Sequence, residues 1–172
     1  MSDALSLEIS AELNWLFEES LDLSTVTDNA RLQYDQALDD GTSAGQADKL
    51  WHATRSVGAG SNDDLDLSAL TQSIHGSTVT IAFAKIRAIM IVNTATTAGE
   101  TLVLDSSVAN AFTAAFHSSA TSKLQIPADS PLMLVNKVDG WAVTDGSADI
   151  LRISNAGSGT VSYKIVIAGT SA

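Results

Sequence analysis

The side chains best suited to hold an ion lie in one short acidic segment. Asn62, Asp64 and Asp66 occupy alternate positions, and alternate residues of a β-strand point to the same side. Oxygen ligands in this arrangement could converge on a calcium ion. The segment lacks the glycine and the closing glutamate of an EF-hand loop, and a solvated or salt-bridged acidic strand end is the commoner outcome. We therefore predict no resident metal, with these three residues as weak candidates.

No other set of residues is typical of a catalytic or metal site. His52, His75 and His117 are far apart in the sequence and fit no metal-binding spacing such as HExxH. The sequence contains neither a G-x-S-x-G nucleophile motif nor a phosphate-binding G-x-x-x-x-G-K motif. Cysteine is absent, which excludes disulfides and thiolate metal sites. We expect no enzyme activity, no catalytic residue and no cofactor.

Negative charge is concentrated in the first third of the chain. The formal net charge is −11, and residues 1–66 hold 14 acidic against three basic residues, whereas the remainder is balanced. Such a distribution repels phosphate backbones, so we expect no direct contact with nucleic acid. The acidic region is interpreted either as a face that keeps the protein soluble or as a docking surface for a basic partner.

Neither a secretory leader nor a membrane span is expected. The first residues show no basic stretch followed by an apolar one. The longest nearly continuous apolar stretch, from Ile81 to Val92, is short and is interrupted by Lys85 and Arg87. These features predict a soluble protein that is made in a cytoplasm and has no membrane partner.

Apolar and polar residues alternate near the start of the chain. Seven apolar residues occupy the odd positions from 5 to 17. A helix would align four of them but place the other three on its opposite side, whereas one extended strand or hairpin arm accounts for all seven. We predict an acidic N-terminal arm, or a set of first strands, over residues 1–45. Its candidate interface residues are Leu7, Ile9, Leu13, Trp15 and Phe17.

The rest of the chain, residues 46–172, reads as many short strands. Short apolar stretches are separated by turns rich in Gly, Asp and Asn at intervals of about ten residues, which is typical of a β-sandwich or jelly roll. Ile86–Val92 is apolar on both faces apart from Arg87, which favours a central strand. Val108–His117 is the one segment for which we predict a short helix. The predicted fold is all-β, with a β-sandwich or jelly-roll-like core domain and an extended N-terminal arm.

Two further tryptophans, Trp51 and Trp141, flank apolar stretches of this domain. A sugar-binding module would require two or three exposed rings that form a platform. Packing in a core or in a subunit interface is commoner for single tryptophans. We therefore add both residues to the interface candidates.

Several stretches taken together look familiar. They are Ala47–Val57, Asp63–Leu70, Phe83–Ile89, Asn110–Phe112 and the ending Ile150–Ser171. As a set they resemble a family of small virion structural proteins of tailed bacteriophages, usually found among head and tail genes. The resemblance covers roughly residues 30–172, and the first 25 or so residues match less clearly.

The resemblance implies a β-rich component of a phage particle with no catalytic residue. Our first expectation is a capsid decoration (cement) protein, a homotrimer that stabilises the shell by bridging subunits of the major capsid protein or other virion proteins. It would be located in the virion after synthesis in the host bacterial cytoplasm. The alternative is a fibre, spike or tail-tip module that binds a host receptor or glycan and exposes Trp51 or Trp141. In either case an extended arm could add a strand to a neighbour's sheet.

Overall fold

The computed structural model describes residues 4–74, 76–117 and 121–172. In these ranges the chain forms fourteen β-strands and one turn of 3₁₀ helix, Ala114–Phe116. The strands are β1 (Leu7–Ser20), β2 (Thr25–Asp40), β3 (Gln46–Ala47), β4 (Lys49–Val57), β5 (Asn62–Asp66), β6 (Leu70–Ile74), β7 (Ser77–Ile81), β8 (Lys85–Asn93), β9 (Leu102–Asp105), β10 (Lys123–Ile126), β11 (Ser130–Val135), β12 (Trp141–Ala142), β13 (Ile150–Asn155) and β14 (Val161–Thr170).

Nine of these strands form two antiparallel sheets. The first sheet has the order β11-β8-β14-β4, with the short β12 also paired to β8, and the second has the order β10-β9-β13-β5. Apart from β12, the other eight strands are nested along the chain: the first pairs with the last and the second with the second-last, so that β4 pairs with β14 and β5 with β13. The inner strands continue this nesting, β8 with β11 and β9 with β10. This is the topology of a jelly roll, and the predicted all-β sandwich is confirmed.

Alternate side chains of the two sheets meet in one core. In β14, Val161, Tyr163 and Ile165 are buried, while the residues between them face solvent. The second sheet contributes Leu104 and Ile153 to the same cluster. Because the direction of a side chain reverses at every residue of a strand, the alternation seen in the sequence is also the division between core and surface.

The predicted central strand is β8, which is hydrogen-bonded to a strand on each side. Its inner face buries Ile89 and Ile91 in the core. Its outer face is covered at Ala88, where the root of the N-terminal hairpin packs, but Met90 is exposed. The expectation of cover on both faces therefore holds over only part of the strand.

The predicted helix Val108–His117 is wrong except for its 3₁₀ turn. Asn110 has a left-handed backbone with φ of 57°, which interrupts any helix that passes through it. The next residues pair with a strand instead, since the Phe112 amide donates to the Ile150 carbonyl at 2.8 Å. Burial of the Phe112 ring in the core favours this conformation over helix propensity.

Among the described residues, no helix combines the length and the apolar character that crossing a membrane requires.

A buried asparagine joins the two sheets at one end of the sandwich. Asn93, at the end of β8, is fully buried. Its Nδ2 donates to the Glu100 carbonyl at 2.9 Å and to the Ile126 carbonyl at 3.0 Å. Its Oδ1 accepts a hydrogen bond from the Ala95 amide at 3.0 Å. One side chain thus satisfies three backbone groups, among them the carbonyl of Ile126 in β10 of the second sheet and that of Glu100 just before β9.

We expect Asn93→Ala to lower the free energy of unfolding by about 2–4 kcal/mol, because it leaves backbone groups without partners at a buried site. Urea unfolding followed by circular dichroism would measure the change. The matched control is Asn29→Ala on the exposed hairpin, for which we expect a change within about 0.5 kcal/mol. Equal stability of the two variants would contradict this role for Asn93.

Candidate functional site

The acidic segment around β5 is engaged in ion pairs and turns. The Asp64 carboxylate accepts two hydrogen bonds from Arg152, at 2.6 and 2.7 Å. Asp66 accepts from the backbone and the hydroxyl of Ser68, at 2.9 and 2.6 Å. Asn62 is exposed at the start of the strand. The three weak metal candidates therefore have separate roles, and a salt-bridged strand end describes the segment.

Asp63 faces the other side of β5 and lies in a polar network between the sheets. It accepts two hydrogen bonds from Arg55 of β4, at 2.6 and 2.8 Å, and one from the Tyr163 hydroxyl of β14 at 2.7 Å. Burial alone would raise the pKa of Asp63, but the hydrogen bonds from Arg55 and Tyr163 and the charge of Arg55 together lower it. Burial, and then Asp63, raise the pKa of Tyr163. The network is a structural clamp between a strand of one sheet and two of the other.

The histidines do not converge on a site. His52 is exposed on β4, where its Nε2 lies 2.9 Å from the Gln72 amide nitrogen. His117 ends the 3₁₀ turn with a left-handed backbone, and His75 lies outside the described residues. Nowhere in the described ranges do three His, Cys, Asp or Glu side chains form a group that could hold a metal ion.

The two tryptophans of the core domain differ from each other in burial. Trp51 is 2 % exposed, and its Nε1 donates to the Thr71 carbonyl at 2.9 Å. Its assignment as an interface candidate is corrected, because the ring fills the core between the sheets. Trp141 is half-buried and packs against the edge of the same core. The position of each tryptophan beside an apolar stretch of the sequence could not distinguish a core role from an interface role, because large apolar rings are common in both places.

The feature that projects from the domain is the hairpin of β1 and β2, which we call the arm (residues 7–40). Its strands pair over fourteen positions, from Leu7 opposite Leu38 to Ser20 opposite Thr25. At about 3.3 Å per residue the arm is about 45 Å long. From Glu12 to the tip, all residues of β1 are exposed. The predicted boundary at residues 45 and 46 lies just after the arm, at the start of β3.

Three of the predicted interface residues lie on the exposed part of the arm. Leu13 is 67 % exposed, Trp15 40 % and Phe17 63 %. The returning strand β2 contributes Leu32, 69 % exposed, and Tyr34 to the same face. These two were not among the interface candidates, although the alternation of apolar residues between 30 and 38 was the signal that could have identified them.

The other two arm candidates belong to the root of the arm. Ile9 is buried with Leu38 and Ala47 in a small second cluster, and Leu7 packs against it half-buried. Ala88 of the first sheet also packs against this cluster. The assignment of Ile9 as an interface residue is therefore corrected, because in the folded chain it anchors the arm to the outer face of the first sheet.

Polar contacts also fix the root. The buried guanidinium of Arg87 donates to the Val138 carbonyl at 2.5 Å and to the Ser43 carbonyl at 3.1 Å. Lys137 donates to the Gln36 side chain at 2.8 Å. The charged residue within the apolar stretch Ile86–Val92 is thus explained, since Arg87 connects the loop that follows the arm to the body.

An apolar cavity of about 320 Å³ lies beside the root, between the arm and the outer face of the first sheet. Its walls are formed by the arm and by three strands of the sheet. The main apolar lining residues are Leu7, Ile9, Ala88, Met90, Met133 and Val166. The cavity and the exposed arm face are adjoining parts of one apolar surface.

No family model matches this chain, and no curated protein matches it. A crystal structure of the Yersinia pseudotuberculosis-derived mitogen (YPM) aligns with a TM-score of 0.36 and 13 % identity, over 72 % of this chain and 88 % of that chain. A likeness this distant carries no argument about function. The resemblance to phage virion proteins stays a prediction.

The Asp63 network makes stability dependent on pH. Because the folded pKa of Asp63 is lowered, its contribution to stability is present above the ordinary value of 3.8 and is lost as the pH falls through the folded value. We expect Asp63→Asn to lower the free energy of unfolding by about 1–3 kcal/mol at neutral pH. The difference in the free energy of unfolding between Asp63→Asn and the natural protein should shrink below pH 3.8.

Urea unfolding of both proteins across this pH range would test the expectation. The control is Asp22→Asn in the exposed turn of the arm, which should leave stability unchanged at every pH. A difference between Asp63→Asn and the natural protein that stays constant down to the acid limit would contradict the assignment.

Proposed function

We propose that this chain is a structural protein of a tailed-phage virion, a capsid decoration (cement) protein that acts by protein–protein contact and not by catalysis. The observation that carries the proposal is the arm, a hairpin about 45 Å long whose root is fixed to the β-sandwich and whose outer part presents large apolar side chains to solvent. The sequence resemblance to small virion structural proteins supports the same role.

A protein that bridges shell subunits needs two contact regions held at a defined distance. The jelly-roll body supplies a rigid platform because its strands are paired in two sheets over one core. The arm supplies the second region, fixed to the body by the Ile9 cluster and by Arg87. When one region is bound, the other is held close to its own target, so two weak contacts combine into a tight one.

The charge distribution fits an exterior position on the particle. The arm carries nine acidic residues and one basic residue, Arg31. A surface of this sign repels DNA, so the protein would not be drawn to the packaged genome. Both interpretations of the acidic region, solubility and docking to a basic patch of the shell, are compatible with this location.

The alternative, a fibre or tail-tip module for a host glycan, has less support. It requires exposed aromatic rings that form a platform, and Trp51 is buried in the core while Trp141 is half-buried. The exposed rings Trp15 and Phe17 lie on an elongated apolar face of a two-stranded ribbon. Such a face is suited to another protein surface rather than to a sugar.

The proposal is tested with phage particles that lack this protein. We expect the purified chain to bind to their heads, visible by cryo-electron microscopy, and to raise the temperature at which they release DNA. A variant in which residues 11–34 are replaced by Asn-Gly keeps the root pair Ser10–Asp35 and closes the hairpin with a two-residue turn. This shortened variant should fold but bind at least tenfold more weakly.

The matched control is Val79→Ser on the exposed hairpin of β6 and β7, which should bind like the natural protein. Density at the tail instead of the head would favour the fibre alternative. Failure of the full-length chain to bind any part of the particle, or equal binding by the shortened variant, would refute the proposed role of the arm.

A further inference from the structure

We infer that the apolar face of the arm packs against the same face of a second copy of this chain. The inference names the partner of the arm. It rests on the proposed function only in taking the arm as a binding element, and its test needs no phage particle.

The register of the hairpin divides the arm into two unlike faces. Residues directly opposite each other in an antiparallel pair share a face, so Leu13 lies beside Leu32 and Trp15 beside Ala30 on the apolar face. The neighbouring pair, Glu12 and Gln33, lies on the opposite face. Beyond the root, the apolar residues of this face are Ala11, Leu13, Trp15, Phe17, Val26, Ala30, Leu32 and Tyr34, and the acidic residues Glu19 and Asp28 share it towards the tip.

This face is too large and too exposed for an isolated subunit. Its six large side chains leave on the order of 600 Å² of apolar surface in water, whereas monomers rarely expose a continuous patch of more than a few hundred. A two-stranded hairpin is at best marginally stable without a layer packed on it. The surface approaches the roughly 800 Å² that each partner contributes to a stable protein interface.

The distribution of charge selects the partner. The central part of the apolar face, from Ala11 to Trp15 and from Ala30 to Tyr34, carries no charge. Its partner must therefore be another uncharged apolar surface that is long and narrow, and the arm of a second copy has that shape. A basic partner would instead bind the polar face, where Glu12 and Asp35 lie.

Packing two copies by this face keeps most of their acidic residues apart, because only Asp28 and Glu19, towards the tip, lie on the apolar side. Two stacked β-layers lie about 10 Å apart, so the polar faces point outward and are separated by about 20 Å. This exceeds the screening length of about 8 Å at physiological ionic strength. The nearest carboxylate on the apolar face, Asp28, accepts a hydrogen bond from Trp15 Nε1 at 3.2 Å. Repulsion between the arms is therefore weak in this arrangement.

Solution mass tests the inference directly. We expect the purified chain at tens of micromolar to have a mass that is a multiple of 17.9 kDa by light scattering or sedimentation. The double variant Leu13→Gln/Leu32→Gln should fall to a single subunit. Because both leucines are about two-thirds exposed within one subunit, these changes should leave its circular dichroism almost unchanged, and the unfolding midpoint of the variant should match that of the natural protein diluted to single subunits.

The matched control changes the adjacent pair on the other face. Glu12→Gln/Gln33→Ser should keep the mass of the natural protein. If the natural protein is a single subunit at these concentrations, the inference is overturned. The proposed binding of the protein to phage heads would still be decided by its own experiment. An assembly that persists in the leucine variant would also overturn it, because the contact would then lie on the body.

A second measurement does not depend on loss of the assembly. The chain has no cysteine, so single thiols can be introduced without interference. We expect Leu13→Cys to react with maleimide at least fivefold more slowly at high protein concentration than after dilution, and Glu12→Cys to react at the same rate in both. Equal rates for Leu13→Cys at the two concentrations would contradict packing by this face.

Discussion

The closure of two antiparallel sheets over a shared layer of alternate side chains is the constraint on which the rest of this molecule depends. Nesting of eight strands brings the first and last of them, β4 and β14, side by side, and places Tyr163 and Ile165 of β14 opposite the second sheet. Polar groups inside the closed body must then find partners. Asn93 and Asp63 do so by joining one sheet to the other, which makes the body a single rigid unit.

The arm is held in a fixed orientation because its root is attached to the rigid body. The arm is attached through a small cluster around Ile9 and Leu38 and through the buried Arg87, which donates to the loop after β2. Beyond that root the same apolar face continues without a layer to cover it. In a single subunit, the apolar side of this long two-stranded ribbon is therefore exposed to water, which is unfavourable.

The acidic residues of the two parts have different roles. In the body, Asp63, Asp64 and Asp105 are paired with Arg55, Arg152 and Lys123, so they stabilise the fold. On the arm, Glu12 and Asp35 lie on the face opposite the exposed leucines. This separation lets one ribbon combine a polar, water-facing side with an apolar side suited to protein contact.

The sequence by itself determined the all-β class, the extended character of the first strands and the sharing of one face by the apolar residues of β1, because side-chain direction in a strand is set by local geometry. Only the tertiary structure decided which apolar residues are core and which are surface. Trp51 and Ile9 are buried because other strands and loops, distant in sequence, happen to lie over them, whereas Leu13 has the same local pattern and no such cover. The partners of Asp63 and Asp64, and the replacement of a predicted helix by strand pairing at Phe112, likewise follow from contacts between distant segments, which no local pattern encodes.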